Sequence, residues 1–274
     1  MVATDELLLA PTTQTQPVAL GKGVVVGGDA VVLMVGPCAV ESEAQLRAIA
    51  EAMVAHGLRV MRGGAFKPRT SPYSFQGLGV EGLKLLRRVA DEYGLLVVTE
   101  ALGVEHVPLV AEYADVIQIG SRNMQHFPLL WAVGELDKPV LLKRGFMATV
   151  KEWLLAAEHI RSRGNERIIL CERGIRTFET ATRNTLDTNA IALVKATAPF
   201  PVIGDPSHAT GRADLVIPAA RAALAAGADG LLVEVHPDPT QALSDGEQAL
   251  PLAQLAQLVA AAQRIAAALG RTVA

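Results

Sequence analysis

Residues 95–119, LLVVTEALGVEHVPLVAEYADVIQI, hold the reading that decides the fold. Two β-branched runs, Leu95 to Thr99 and Val116 to Ile119, flank a stretch from Val104 to Glu112 whose apolar residues recur at helical spacing. The same alternation extends in both directions. Further runs fall at Val32 to Val35, Arg59 to Met61, Val140 to Leu142, Ile168 to Leu170, Pro201 to Ile203 and Leu231 to Val235. Helical segments lie between them at about Glu43 to His56, Val80 to Tyr93, Gln125 to Val133, Thr149 to Arg163, Leu186 to Ala196 and Ala213 to Ala226. A last one runs from about Leu250 to Leu269. Strict alternation of strand and helix implies a parallel sheet. Eight units can close into a barrel or open into a doubly wound sheet, and two features favour closure. No GxGxxG follows the first run, and polar motifs follow nearly every run instead of gathering at one switch point. The expectation is an α/β chain: a single (β/α)8 TIM barrel over residues 32–274, preceded by residues 1–31 as a tail and a β-hairpin. The tail would end near PTTQTQP, and Gly21, Gly23, Gly27 and Gly28 set among valines suggest the hairpin that caps the barrel floor.

The chain of 274 residues has length enough for one such barrel. Half of it is hydrophobic and only 4% aromatic, so the core must be aliphatic, as suits strands buried on both faces. A net charge of −3 gives no reason to expect nucleic acid or an anionic membrane as partner. The start MVATDELLLA lacks the basic region of a signal peptide, and Gln254, Gln257, Gln263 and Arg264 interrupt the most apolar stretch. A cytoplasmic location follows as an expectation, and two distant cysteines in a reducing compartment stay free for packing or metal binding.

In a parallel barrel the chemistry sits where strands end. Collecting those ends gives GPCAVES (36–42), RGGAFKPRTSP (62–72), Glu100, GSRNMQ (120–125), KRGF (143–146), CERGIRTFE (171–179), GDPSHATG (204–211) and EVHPDP (234–239). Cys38, His208 and Glu234 follow or end the first, seventh and eighth strands, which become neighbours on closure, and Asp245 lies in the loop after the eighth. A thiolate, an imidazole and two carboxylates suit a borderline divalent ion of the Mn, Fe, Co or Zn class better than Mg or Ca. Taken singly, Cys38 reads as a small buried hydrophobe and the others as loop polar groups; it is their convergence that makes a site. Cys171 reads as structural, and His236 as an alternative ligand or a rim residue. His56, His106, His126 and His159 fall on helices or their ends.

A second set is cationic: Arg62, Lys67, Arg69, Arg122, Lys143, Arg144, Arg173 and Arg176 all follow strands in an acidic chain. Guanidinium groups focused in this way would hold phosphate or carboxylate oxygens of a small polyanion. Arg144 and Arg176 could equally line a solvated rim.

These motifs resemble, in order and over roughly Val32 to Leu250, the 3-deoxy-D-arabino-heptulosonate 7-phosphate synthases of type I beta. GPCAVES, RGGAFKPRTSPYSFQG, QIGSRNMQ, KPVLLKRG, CERGIRTFE, GDPSHATG and EVHPDP carry the likeness. It implies condensation of phosphoenolpyruvate with erythrose 4-phosphate and water, the first step of the shikimate pathway. It further implies that Ser121, Arg122, Lys143 and Arg173 bind phosphoenolpyruvate with Arg62 and Lys67 adjoining. Arg69 and Thr70 would contact the aldose phosphate, and Lys67 would handle the proton, with Cys38 and His208 serving catalysis as metal ligands. The sister octulosonate-phosphate synthases, which use arabinose 5-phosphate, carry a KANRS-like string where this chain has Lys67-Pro68-Arg69-Thr70. Cys38 places the chain with metal-dependent forms. A homodimer or homotetramer is what the resemblance suggests. The roughly 30 residues before the first strand are short for a regulatory domain, so feedback inhibition is expected to be absent or to need a partner such as a chorismate mutase. A silent barrel serving such a partner is the alternative of another class.

Overall fold

The computed structural model describes residues 14–68 and 71–274, so the expected tail over 1–13 lies outside the described residues. Strands β1 (Val18–Gly21) and β2 (Val24–Val26) form an antiparallel hairpin. The barrel strands are β3 (Ala30–Gly36), β4 (Val60–Arg62), β5 (Leu96–Glu100), β6 (Val116–Ile119), β7 (Val140–Lys143), β8 (Ile168–Glu172), β9 (Val202–Gly204) and β10 (Gly230–His236). Every neighbouring pair is parallel, and β10 pairs with β3 from Gly230↔Val32 to Glu234↔Gly36, which closes the ring. Two short strands extend it: β11 (Leu250–Pro251) on the end of β10 and β12 (Thr272–Val273) on the start of β3.

The connecting helices are α1 (Glu43–Ala55), α2 (Gly79–Glu92), α3 (Val107–Tyr113), α4 (Phe127–Gly134), α5 (Val150–Arg161), α6 (Thr188–Thr197), α8 (Ala213–Ala225) and α9 (Leu255–Ala268), with a five-residue α7 (Pro206–Thr210) after β9. Their starts are written locally. Ser42 accepts from Gln45 N at α1, Thr149 and Glu152 form a capping box at α5, and Asp187 accepts from Ala190 N at α6. No described helix is long and apolar enough to cross a membrane.

Period 2 sorts the barrel's residues into two cores. On β3, Val31, Leu33 and Val35 pack outward among the helices, while Val32 and Met34 join an inner cluster. The inner cluster continues with Val60, Leu96, Val98, Val116, Leu141, Ile169, Cys171, Ile203 and Leu232, and it includes Val18, Leu20, Val24 and Val26 of the hairpin. The hairpin therefore plugs the floor with apolar side chains; Lys22 Nζ donates to Leu95 O and Arg59 to Lys22 O to fasten it.

Extending the same inward parity two residues toward the strand ends changes its chemistry. The inner positions become Arg62, Glu100, Gln118, Lys143, Arg173, Asp205 and Glu234, each on its strand or just past it, and Cys38 follows one step further on, two residues beyond the end of β3. The top layer of the barrel interior is thus polar on all sides, and there the site must lie.

Candidate active site

The seventh strand's loop sets the geometry. Asp205 caps α7 by accepting from His208 N at 3.0 Å, Pro206 occupies the first helical position, and Gly211 ends the turn at φ 68°. Five residues suffice to aim His208 inward. Asp205 Oδ2 then takes His208 Nδ1 at 2.7 Å and accepts from Lys143 Nζ at 2.7 Å. With Nδ1 tied to a carboxylate, His208 presents Nε2 to Glu234 Oε1 at 3.3 Å.

Glu234 sits at the centre of the next group. Its Oε2 accepts from Gln248 Nε2 at 2.6 Å, and Arg62 Nη1 lies 3.2 Å from Oε1 while also donating to Pro37 O. Oε1 is nonetheless buried without a hydrogen-bond partner. Cys38 Sγ lies 3.2 Å from Asp245 Oδ2 and 3.0 Å from Ser244 Oγ, and Lys67 Nζ donates to Cys38 Sγ at 3.1 Å and to Cys38 O at 2.9 Å. Asp245 adopts φ 52°, a left-handed conformation that an aspartate accepts only at some strain. Candidate ligand atoms of Cys38, Glu234 and Asp245 all lie within 4.8 Å of one another, and His208 joins them through Glu234.

Electrostatics favours a cation among them. Burial, with the Glu234 carboxylate beside it, pushes the Cys38 thiol up to about 12. Burial alone would raise Glu234, but His208, Arg62 and Lys67 together hold it at about 2. Burial likewise works against the Asp205 charge, which His208 and Lys143 keep well below the usual range. Burial pushes the His208 imidazole below its usual range against the pull of Asp205 and Glu234. An orphaned carboxylate oxygen, a thiol too desolvated to ionise unaided and a neutral imidazole fit a divalent ion, which would ionise the thiol and satisfy the oxygen.

Beside this cluster opens a cavity of about 280 Å³ lined by Lys67, Pro68, Glu100, Ser121, Arg122, Lys143, Phe146, Arg173, Arg183, His208 and Asp245 among others. Gly120 lets Glu100 sit against this wall, because a Cβ there would come within 2.0 Å of Glu100 Oε1 and the carboxylate would have to shift. Of the residues singled out in the sequence, Lys67, Ser121, Arg122, Lys143, Arg173, His208 and Asp245 meet in this cavity. Arg62 does not line it; it lies behind Glu234, fully buried. Arg69 and Thr70 lie outside the described residues. Arg144 turns away into a structural role, donating to Glu172 at 2.8 Å, Asp187 at 2.9 Å and Ala148 O at 2.9 Å. Arg176 is exposed beside Phe146.

His236 is engaged elsewhere: Nε2 meets Glu41 Oε2 at 3.2 Å and Nδ1 accepts from Asp238 N. Cys171 packs in the inner core, where burial pushes its thiol up. His159 bonds Trp131 Nε1 and His106 stacks on Phe66. Asp205, Phe146, Arg183, Ser244 and Gln248 are site residues to which the sequence reading gives no role, although the first two lie in the motifs it collects. For Asp205 a signal existed: Asp-Pro with His three residues on is an N-cap that turns the imidazole inward.

The DAHP synthetase I family model matches residues 11–269 of this chain. The chain is 56% identical over 245 residues to a phospho-2-dehydro-3-deoxyheptonate aldolase of Thermotoga maritima, covering 89% of this chain and 72% of that protein. It is similar at 34% identity over 253 residues to a 2-dehydro-3-deoxyphosphooctonate aldolase of Acidithiobacillus ferrooxidans, covering 85% of this chain and 88% of that one. A crystal structure of the Thermotoga maritima phospho-2-dehydro-3-deoxyheptonate aldolase superposes with a TM-score of 0.92 at 54% identity, over 95% of this chain and 76% of that one. A truncated form of the 3-deoxy-D-arabino-heptulosonate 7-phosphate synthase from the same organism superposes at 0.90 with 51% identity, over 95% and 96%.

Proposed function

Because the chain belongs to the DAHP synthetase I family, we propose that it condenses phosphoenolpyruvate with erythrose 4-phosphate and water into 3-deoxy-D-arabino-heptulosonate 7-phosphate and inorganic phosphate, opening the shikimate pathway. One observation carries the reading: Lys67 lines the anion cavity and at the same time donates to Cys38 Sγ, so the cationic pocket and the metal cluster share a wall. Residues 32–274 act as the catalytic barrel, and the hairpin before them closes its floor.

In this reading Ser121, Arg122, Lys143 and Arg173 hold the phosphate and carboxylate of phosphoenolpyruvate through charge-assisted hydrogen bonds. Arg62 acts from behind, fixing Glu234. Arg69 and Thr70 take the aldose phosphate. A divalent ion of the Mn, Fe, Co or Zn class, held by Cys38, His208, Glu234 and Asp245, would supply Lewis acidity toward the aldehyde when bound. The methylene carbon of phosphoenolpyruvate attacks the aldehyde carbon, water adds at the central carbon, and the C–O bond to phosphate breaks. Lys67 commits two of its three ammonium protons to Cys38 and keeps the third for the oxygen that gains charge as the carbon–carbon bond forms. Fixed cations around the cavity stabilise that charge without reorganising. The reading extends to a cytoplasmic homo-oligomer, and to control through a separate partner such as a chorismate mutase.

The rival reading is octulosonate-phosphate synthesis from arabinose 5-phosphate, and Lys67-Pro68-Arg69-Thr70 argues against it. Parallel assays of phosphate release with the two aldoses, each with and without chelator, decide. Erythrose 4-phosphate should react faster, chelation should abolish turnover, and added divalent ion should restore it; faster release with the pentose overturns the assignment.

A further inference from the structure

Three guanidinium groups converge on one aromatic ring at the cavity wall. The Cζ atoms of Arg173, Arg176 and Arg122 lie 4.7, 5.1 and 5.5 Å from the centroid of Phe146. They come from the loops after β6 and β8, while Phe146 follows β7 between them, three residues beyond Lys143. None of the three forms an ion pair with a carboxylate among the described residues. Arg173 is buried with only Gly174 O accepting from it, at 3.3 Å, and burial lowers its guanidinium below the usual range. Arg144 shows the ordinary solution two positions before Phe146: it stacks 5.9 Å from Trp153, but Glu172 and Asp187 capture its donors.

A carboxylate partner would neutralise these cations and also consume the N–H groups needed for a ligand. The face of a phenyl ring does neither. Its quadrupole attracts the guanidinium plane, and the N–H edges remain free to donate in that plane. Phe146 also borders two spaces, lining both the 280 Å³ cavity and one of about 320 Å³ whose lining includes Arg122 and Arg176. Its backbone is fixed to the same assembly, because Arg176 N donates to Phe146 O at 2.7 Å.

We infer that Phe146 is a positioning residue: its ring gathers Arg122 and Arg173 into an anion-binding arrangement before the anion arrives, and draws Arg176 to the pocket mouth as a third cationic arm. For the identity of the anion the inference rests on the function proposed above; for the gathering of the cations it does not.

The test compares Phe146→Leu with Phe146→Tyr in the full chain loaded with its metal. Leucine removes the quadrupole and tyrosine keeps it. With Phe146→Leu, KM for phosphoenolpyruvate and the calorimetric Kd for inorganic phosphate should both rise about tenfold. In the same variant kcat should stay within about twofold and KM for erythrose 4-phosphate should not move, because the ring touches cations and no reacting atom. Phe146→Tyr should restore the wild-type values, and thermal unfolding should show both variants folded. Wild-type phosphate affinity in Phe146→Leu overturns the inference, as does an equal loss in both variants, which would make ring volume the cause. A wild-type chain that binds phosphate but does not consume phosphoenolpyruvate would instead sink the proposed function, and the phosphate titrations would still decide the role of Phe146.

Discussion

At the floor of the barrel Asp229 accepts from Lys195 Nζ at 2.9 and 3.0 Å, from Arg271 Nη2 at 3.2 Å and from Val202 N at 3.0 Å, and Lys195 also donates to Thr15. At the mouth Arg122, Arg173 and Arg176 gather at Phe146 with no ion-pair partner among the described residues, and Glu234 keeps a buried oxygen without a donor. Both ends hold buried charge, but the floor has closed its accounts internally whereas the mouth leaves them open for a ligand. The difference teaches that stability and function are drawn from opposite ends of the same strands: completing the mouth's charges would favour the fold and remove the site.

The sharpest break of this contrast is Arg173→Met. It should lower kcat/KM for phosphoenolpyruvate about a thousandfold, as loss of a preorganised charge does. The unfolding temperature should hold or rise, because a desolvated cation without a carboxylate partner has gone; a marked fall in thermal scans would show that Arg173 stabilises the fold. Asp229→Ala is the converse. It strands Lys195 and Arg271 and should cost about 3 kcal/mol in denaturant titration, with kcat at 25 °C unchanged. A loss of kcat in the folded variant would mean that floor and mouth are coupled.

Asp205→Asn tests the boundary between the two behaviours, since Asp205 is itself satisfied but serves a ligand. Losing the charge that orients His208 should weaken divalent-ion affinity about ten- to a hundredfold in a competitive chelator titration. Unchanged affinity would detach His208 from the metal group.

The smallest effect is expected at Glu158 on α5, far from the site, whose two carboxylate oxygens are buried without hydrogen-bond partners, Arg161 Nη1 being 3.8 Å away. Burial raises its carboxyl above the usual range. The folded chain therefore binds this proton more tightly than the unfolded one. The associated stability is present below the ordinary carboxylate range and is lost as pH rises through the raised folded value. Glu158→Gln should melt like the wild type near about pH 4 and above it near about pH 8. Parallel melting curves at both pH values would show that Glu158 is solvated.

Much of this contrast was legible in the sequence because it follows period 2. The eight runs, their order and the polar residues that terminate them are all read from the chain itself, and the strands observed differ from the expected runs by at most two residues at either end. What the pattern does not contain is partnership between loops. Arg62, Arg144 and Arg173 look alike in the chain. Only the folded ring of strands puts Glu234 beside the first, Glu172 and Asp187 beside the second, and a phenyl ring with no ion-pair partner among the described residues beside the third. Asp205 could have been read from parity, two residues past inward-facing Ile203. Gln248 and Ser244 could not, because the long excursion after β10 brings them back by tertiary packing.

The hairpin valines that plug the floor carry a further consequence for traffic. With the inner cluster continuous from Val18 and Val26 up to Leu141 and Leu232, the described residues close the floor and leave the mouth as the way in. Both substrates must enter, and both products leave, through the same opening. Whatever leaves last bars whatever should enter next, so congestion by product is built into the architecture.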